Sequence, residues 1–308
     1  MLGAMPRNAT RHPEPVDLHT HSTASDGTLT PAALVRAAHA GGVRTLALTD
    51  HDTVAGLGEA NATAAELGMQ LVPGVEISVT WEKRTLHIVG LGFDTSHPSL
   101  REQLADLQQR RAERTDAILE RLERIGVAQA RERIEALSAG GQITRAHVAR
   151  LLIEEGRCRT VKQCFKRFLK PGKPVHVGVT WAELEATVAT IHAADGVAVL
   201  AHPLAYDMTG AWQRRMLDAF QSAGGRAMEV VCGNSTPNGI IRMADAAADR
   251  GLLGSVGSDF HSPDQRWLRL GRPLPLPTTV TPVWDDPTLA RWFRRSPGTP
   301  EKSEPDAG

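Results

Sequence analysis

The sequence of 308 residues has few cysteines, no excess of charge of either sign and no long hydrophobic run. Three cysteines are too few, and odd in number, for a secreted scaffold held by disulfide bonds. Basic and acidic side chains both number 35, so the total charge indicates neither a nucleic-acid nor a membrane partner. No apolar run approaches the roughly 20 residues that span a bilayer. Residues 1–15 lack the apolar core of a signal peptide, so we expect a cytoplasmic protein.

Short apolar runs alternate with amphipathic segments, which is typical of βα units around a parallel sheet. We predict strands over residues 16–18, 45–48, 71–79, 86–93, 197–200, 228–232 and 252–256. Helices are predicted after Thr30-Pro31 and near residues 54–67, 181–194, 211–223 and 237–250. Glu82-Lys83-Arg84 is typical of a turn, which would make a hairpin of the third and fourth strands. Seven strands with helices between most of them predict the α/β class and an incomplete barrel.

The alternation stops between about residues 99 and 175, which we predict to be helical throughout. The predicted domains are a flexible N-terminus (1–15), a discontinuous barrel (16–98 and 176–285), an inserted helical cap (99–175) and a disordered tail (294–308). Residues 140–173 carry nine basic and two acidic side chains, a net charge of +7. A local field of this sign suits a polyanionic ligand, although a solvated basic face explains it as well.

One helix of the insertion has an apolar face with spacings of three and four residues. That face contains Leu100, Leu104, Leu107, Ile118, Leu122 and Ile125. Arg111 and Arg114 fall on the same face. An arginine there extends to solvent, pairs with a carboxylate or offers its guanidinium group to a phosphate, and the sequence leaves these alternatives open.

Histidine, aspartate and glutamate recur where the predicted strands end. The candidate metal ligands are His19, His21, Asp26, His51, Glu76, His87, His202, Asp259 and His261. His19 and His21 share one face of a strand, and a hairpin would return His87 beside Glu76. Functional groups of such barrels lie at the ends of the strands. Nine ligands exceed the needs of one ion, so we predict a multinuclear centre with a bridging carboxylate.

The segments that carry these residues resemble the motifs of the PHP (polymerase and histidinol phosphatase) family of metal-dependent phosphoesterases. They are DLHTHSTASDGTLTP, LALTDHDT, VPGVEIS, LHIVGLGF, VLAHP and GSDFH. The resemblance covers about residues 16–280 and implies a distorted (β/α)7 barrel that holds three divalent ions. Manganese is expected, with iron, zinc and magnesium open, because Asp26 stands where some relatives have histidine.

The resemblance also implies which residues hold each ion. The first ion would be held by His19, His21, Glu76 and Asp259, the second by Glu76, His87 and His202, and the third by Asp26, His51 and His261. A hydroxide bridging the first two ions would attack phosphorus, with His51 and His261 near the leaving group. Asp50 and Asp52 are interpreted as partners of His51 or as caps of the following helix.

The insertion resembles that of the 3',5'-nucleoside bisphosphate phosphatase branch, which includes the 5'-to-3' exoribonuclease RNase AM. The matching stretches are ITRAHVAR (143–150), FKRFL (165–169), PGKP (171–174), MEV (228–230) and the arginines at 110, 111 and 114. The expected contacts to a substrate 5'-phosphate are Arg145, Arg111, Arg114 and His147.

If that phosphate is held, one displacement converts 3',5'-bisphosphoadenosine to AMP and also removes 5'-mononucleotides from 5'-phosphorylated RNA. The expected partners are therefore a nucleotide and short or single-stranded RNA, with no membrane and no obligate protein partner. Two alternatives remain open. The first is a phosphatase of another small metabolite such as histidinol phosphate, and the second is a non-catalytic RNA-binding or regulatory module.

Overall fold

The computed structural model describes residues 9–10, 15–233, 235–265, 270 and 275–293. Its strands are β1 (Ala9–Thr10), β2 (Val16–Asp17), β3 (Thr45–Leu48), β4 (Gln70–Trp81), β5 (Arg84–Leu91), β6 (Ala182–Glu183), β7 (Val197–Leu200), β8 (Ala227–Cys232), β9 (Leu253–Gly257) and β10 (Leu276–Pro277). Its helices are α1 (Pro31–Ala40), α2 (Leu57–Glu66), α3 (Pro98–Arg124), α4 (Ala130–Ser138), α5 (Arg145–Glu154), α6 (Val161–Cys164), α7 (Leu184–Ala193), α8 (Gly210–Ser222) and α9 (Pro237–Ala248). A π-helical turn follows at Phe165–Leu169, with 3₁₀ turns at Val283–Asp285 and Ala290–Trp292. Within these ranges, no helix has both the length and the apolar character needed to cross a membrane.

The main sheet runs in the order β2-β3-β4-β5-β7-β8-β9, and short β6 pairs with the far end of β4. All its pairings are parallel except those of β5, which is antiparallel to both of its neighbours. The two ends of the sheet meet, because the Leu18 N–H donates to the carbonyl of Val256 and Thr20 pairs with Phe260. The predicted α/β barrel of seven strands is thus confirmed. Strand β5 distorts the otherwise parallel barrel because it runs antiparallel to β4 and β7.

The reversal of β5 comes from a two-residue turn at Glu82 and Lys83. Both residues have positive φ angles, 48° and 61°, the backbone pattern that suits the right-handed twist of a hairpin. Strand β4 runs past the rim of the barrel and β5 returns beside it. Ser78 pairs with His87, so His87 lies on the face of the hairpin that also carries Glu76.

Residues 98–169, here called the helical segment, contain α3 to α6 and the π-helical turn. The barrel core and the helical segment have separate hydrophobic clusters. Helix α3 joins them: Leu100 and Leu107 pack in the barrel cluster, whereas Ile118 and Leu122 pack in the other. Arg111 lies between these two halves and is only 7% exposed.

The structure describes only part of the two chain ends. Within the N-terminus predicted to be flexible, residues 9–10 form β1 and pair with β10, while residues 1–8 and 11–14 lie outside the described residues. Beyond the predicted end of the barrel, Leu289 packs in the barrel core. The tail predicted to be disordered, residues 294–308, lies outside the described residues.

Candidate active site

The nine predicted ligands all lie at the rim where β2, β3, β7 and β9 end and the β4–β5 hairpin passes. Three overlapping groups of ligand atoms have all members within 4.8 Å of one another. The groups are His19, His21 and Glu76; His51, Glu76 and His87; and His21, Asp26, His51 and His261. Asp259 and His202 contact members of these groups.

Asp259 lies beside the first group, which consists of His19, His21 and Glu76. The Nε2 atoms of His19 and His21 lie 3.0 Å apart, and they are 3.5 and 3.4 Å from the two Glu76 oxygens. Asp259 Oδ1 is 3.6 Å from His19 Nε2 and 3.3 Å from His21 Nε2. Five polar atoms from four residues therefore surround one small volume.

Glu76 also faces the other side of the rim. His87 Nδ1 and His202 Nε2 each lie 2.9 Å from Glu76 Oε1.

His202 has a φ of 30°, and Asp259 has a φ of 54°. Non-glycine residues adopt such angles at a cost of about 1–3 kcal/mol, and they concentrate at functional sites. The backbone at both positions is thus held so that the side chains turn inward.

The third group centres on Asp26. Its Oδ1 is 3.3 Å from His261 Nε2, and its Oδ2 is 3.7 Å from His51 Nε2. His51 also reaches Glu76, with Nδ1 2.8 Å from Oε2. The structure thus places His51 between the second and third groups, whereas the sequence analysis put it in the third group alone.

Several buried polar atoms at the rim have no hydrogen-bond partner among the described residues, which is what a cation site would leave when no ion is bound. His51 Nδ1, His87 Nδ1 and Glu76 Oε2 are buried and have no hydrogen-bond partner, although short distances separate them from neighbouring polar atoms. Imidazole nitrogens mixed with carboxylate oxygens suit divalent manganese, iron or zinc, so the residues fit the cofactor that the sequence implies.

Charges at the rim agree with this fit. Burial raises the pKa of Glu76, but the imidazoles of His87, His51 and His19 outweigh it and hold the pKa well below its ordinary value. Burial lowers the pKa of His21 to about 3. Metal ligands bind as ionised carboxylates and neutral imidazoles, and the shifts of Glu76 and His21 favour these forms. At His19 and His51 burial lowers the pKa, but the neighbouring carboxylates outweigh it and raise the pKa.

The carboxylates around His261 favour a positive charge in the third group. Burial opposes its protonation, but the carboxylates of Asp26 and Asp259 outweigh that effect and raise its pKa to about 10. Protonated His261 neutralises part of the negative charge of Asp26 and Asp259. A divalent cation bound between these groups would neutralise the same two carboxylates.

Glu229 supports the ligands from behind, and the sequence analysis did not assign it this function. Its Oε1 lies 2.7 Å from His19 Nδ1, which leaves Nε2 of that ring facing the rim. Its Oε2 accepts the His202 backbone N–H at 2.5 Å. In the sequence, the signal for this function was a glutamate in the middle of an apolar strand. In the structure, Glu229 is 2% exposed. Such partners fix the orientation of ligating imidazoles.

Asp50 and Asp52 have other partners than the sequence analysis gave them. Asp50 accepts hydrogen bonds from the hydroxyls of Ser22 and Ser25, both at 2.6 Å. Asp52 has a φ of 50°, which turns its carboxylate towards α3, where it pairs with Arg111 at 2.6 Å. Within the described residues, the hydrogen bonds of the two carboxylates go to Ser22, Ser25, Ser78 and Arg111 rather than to the imidazole of His51.

A cavity of about 500 Å³, here called the arginine pocket, opens onto the rim. Its walls include Asp26, His51, His87, Asp259 and His261 from the rim. The helical segment contributes Arg111, Arg114, Arg145 and Arg150. Four guanidinium groups in one cavity beside carboxylates and imidazoles suit an anion that reaches the rim.

The four arginines differ in how far they are neutralised. Arg111 is paired with Asp52 and also donates to Ser78 at 2.8 Å. Arg114 and Arg145 form no ion pair with a carboxylate in the described part of the chain. Burial and the charges of Arg145 and Arg111 lower the pKa of Arg114 to about 9. Burial and the charge of Arg111 lower the pKa of Arg145. Repulsion among these cations is relieved by a bound anion.

His147 does not line this pocket. Its Nδ1 accepts the Thr144 backbone N–H at 3.0 Å in a capping box at the start of α5, and the residue is 1% exposed. Burial lowers its pKa to about 4. The structure places it behind Thr144, whose hydroxyl donates to Asp26 at 3.0 Å. A direct contact from His147 to substrate therefore does not follow from this geometry.

Comparison with known proteins agrees with the motifs. The family model described as the PHP domain matches residues 17–177. The chain belongs to the PHP domain family. The resemblance drawn from the sequence is confirmed.

Among curated relatives, this PHP chain is 46% identical to a 5'-3' exoribonuclease of Haemophilus influenzae, over 87% of the chain and 97% of that protein. It is 40% identical to a 3',5'-nucleoside bisphosphate phosphatase of Chromobacterium violaceum, over 87% of the chain and 95% of that protein. A solved structure from Chromobacterium violaceum, described as an amidohydrolase with bound sulfate and no metal, superposes with a TM-score of 0.85. It shares 39% identity, and the match covers 90% of this chain and 96% of that one.

Gly257 provides a test of how the rim is built. A Cβ atom there would lie 2.4 Å from His19 Cβ and 3.1 Å from Glu229 Oε1. We expect Gly257→Ala to displace His19, to lower the free energy of unfolding by about 1–3 kcal/mol and to reduce the manganese bound. Denaturant unfolding and elemental analysis measure the two effects.

The matched control is Gly58→Ala in α2, where a Cβ atom meets nothing within 4 Å. This change should leave the bound manganese unaltered and raise helix stability slightly. Equal manganese binding by Gly257→Ala and the parent chain would contradict the close packing of Gly257 on His19.

Proposed function

We propose that this PHP protein is a metal-dependent phosphoesterase that hydrolyses the 3'-phosphate of 3',5'-nucleoside bisphosphates. We further propose that it acts as a 5'-to-3' exoribonuclease on 5'-phosphorylated RNA. The observation that carries the proposal is the arginine pocket opening directly onto the cluster of metal ligands. The relatives named as exoribonuclease and as bisphosphate phosphatase support the same pair of activities.

The cofactor is proposed as three divalent ions, with manganese preferred and iron, zinc or magnesium as alternatives. His19, His21, Glu76 and Asp259 would hold the first, with Glu76, His87 and His202 at the second. Asp26, His51 and His261 would hold the third, although the contact of His51 with Glu76 also makes it available to the second. When bound, such ions activate water and neutralise charge on the transferring phosphoryl group.

The protein residues orient the substrate. Arg145 and Arg114 lack carboxylate partners among the described residues and would bind the 5'-phosphate, while Arg111 is held against Asp52 and shapes the wall. Aromatic rings support them: Arg114 lies 5.6 Å from the Trp181 ring centre and Arg145 lies 5.4 Å from that of Phe165. A nucleotide held in this way presents its 3'-phosphoryl group to the rim.

One geometry then accounts for both reactions. Water adds to the phosphorus, the bond from phosphorus to O3' breaks, and O3' departs as a hydroxyl on the nucleotide in the arginine pocket. His51 and His261 line that pocket and would lie near the departing oxygen. A terminal 3'-phosphate gives inorganic phosphate, whereas a phosphate linked to further RNA gives a shortened chain with a new 5'-phosphate.

The alternative functions have less support from the site. Histidinol phosphate carries an amine that is cationic at neutral pH, which the arginines of the pocket would repel. A non-catalytic RNA-binding module needs no convergent set of metal ligands, yet the ligands at the rim are brought together with unpaired lone pairs. Phosphoryl hydrolysis is therefore favoured over both.

The test compares substrates on the manganese-loaded full chain. We expect turnover of 3',5'-bisphosphoadenosine to AMP and shortening of 5'-phosphorylated RNA with release of 5'-mononucleotides. RNA with a 5'-hydroxyl should resist cleavage, and histidinol phosphate should not be hydrolysed. Turnover of histidinol phosphate alone would refute the substrate class, and equal rates on the two RNAs would remove the 5'-phosphate contact from the proposal.

A further inference from the structure

A second cavity of about 370 Å³ also reaches the rim. Its walls come from the loop after β7, the end of β8 and the start of α9. Asp259 lines both this cavity and the arginine pocket, and no other residue of the described chain is common to the two linings. The metal-ligand cluster therefore lies where the two cavities meet, and a ligand longer than one nucleotide can occupy both.

The walls of the second cavity combine apolar and polar groups. Leu204 and Gly239 pack against each other on the apolar side, where a Cβ on the glycine would lie 2.7 Å from Leu204 Cδ1. Ser235 and Asn238 supply polar atoms, and the exposed Asn238 side chain makes no hydrogen bond within the described ranges. An apolar wall with a few polar groups is what a ribose and base require.

Arg242 lines this cavity from α9 and is exposed. Its guanidinium group donates to Gln213 Oε1 at 3.2 Å, and Gln213 Nε2 donates to the Pro203 carbonyl at 3.1 Å. Gln213 thus fixes Arg242 relative to the loop that carries His202. No carboxylate of the described residues pairs with Arg242, so its charge is free to bind a phosphate.

We propose that the second cavity receives the nucleoside 3' to the scissile phosphate and that Arg242 contacts the following phosphate of the RNA. The inference rests on the proposed function and extends it to the other side of the cleaved bond. After hydrolysis, the downstream chain keeps the attacked phosphorus on its O5' atom. A bisphosphate ends at its 3'-phosphoryl group and does not enter this cavity.

Three adenylate substrates separate the contacts: the 3',5'-bisphosphate, the 5'-phosphorylated dinucleotide and the 5'-phosphorylated trinucleotide. Only the trinucleotide has the phosphate that Arg242 would contact. We expect Arg242→Ala to lower kcat/KM for the trinucleotide about tenfold, the effect of one charge-assisted hydrogen bond near solvent. The other two substrates should change less than about twofold. For the trinucleotide, the slope of log kcat/KM against log salt should fall by about 0.7.

A second variant tests the cavity itself. Asn238→Trp places a large side chain in an exposed wall position, and we expect it to lower kcat/KM about tenfold for both oligonucleotides but not for the bisphosphate. Arg36→Ala is the control, because Arg36 is exposed on α1 and pairs with Glu66 away from both cavities. It should leave all three substrates unaffected.

The outcomes distinguish this proposal from the proposed function. If the parent chain hydrolyses all three substrates and either variant lacks its expected pattern, the second cavity is not the downstream site. Equal losses on the bisphosphate and the trinucleotide would also overturn the inference. If the parent chain hydrolyses none of the three, the proposed function fails, and this inference fails with it.

Discussion

Replacing Glu76 by glutamine should abolish hydrolysis of 3',5'-bisphosphoadenosine, with kcat reduced by roughly a thousandfold or more. Glu76 lies within 3.5 Å of ligand atoms on His19, His21, His51, His87 and His202. Glutamine keeps the shape of the side chain but removes the charge shared by two ligand groups. The bound manganese should fall in parallel, as measured by elemental analysis of the loaded protein.

The matched control is Glu82→Gln in the turn of the same hairpin. Glu82 is exposed and pairs with Arg215 on the surface, so the same chemical change there should leave kcat and bound manganese unaltered. Retention of both metal and activity by Glu76→Gln would show that this carboxylate does not join the metal sites.

Arg145→Ala should produce the second largest effect, a loss of roughly a hundredfold in kcat/KM for the bisphosphate. The loss should lie mainly in KM, because a 5'-phosphate far from the reacting bond is bound equally in the ground and transition states. Adenosine 3'-monophosphate lacks that phosphate and should be hydrolysed by the variant and the parent chain at similar rates. Steady-state kinetics on the two substrates measures the difference.

Two further variants define this contact. Arg145→Lys keeps the charge but loses the planar pair of donors, so it should recover only part of the loss. Arg124→Ala removes an exposed arginine of the helical segment that pairs with Glu120, and it should behave as the parent chain does. A similar loss on both substrates by Arg145→Ala would assign the residue to the fold rather than to the 5'-phosphate.

The sequence predicted the barrel and the convergence at its rim because both follow from local patterns. His19 and His21 alternate on a strand, and Asp259 and His261 stand at the end of another, so parallel pairing alone brings them to one edge. The position of His87 required the hairpin, which the turn at Glu82 and Lys83 made visible.

Contacts between distant segments could not be predicted in the same way. Asp52 adjoins His51 in the sequence, but its left-handed backbone turns the carboxylate towards Arg111, 59 positions away. Glu229 contacts His19 across 210 positions. His147 was grouped with the arginines by its place in a motif, whereas its burial depends on how α5 packs.

The contacts of Asp26 have a consequence for how the protein assembles. Thr144 donates to its carboxylate, and Arg150 donates to its carbonyl at 2.6 Å, so the N-cap residue of α5 and one residue within the helix hold a candidate metal ligand of the barrel. Because the docked α5 positions this carboxylate for a cation, we expect cation binding to favour the docking of α5, and thermodynamic reciprocity makes the two effects equal in free energy. Backbone amides of this helix should exchange with solvent more slowly once the cation is in place, which makes the insertion a reporter of cation occupancy.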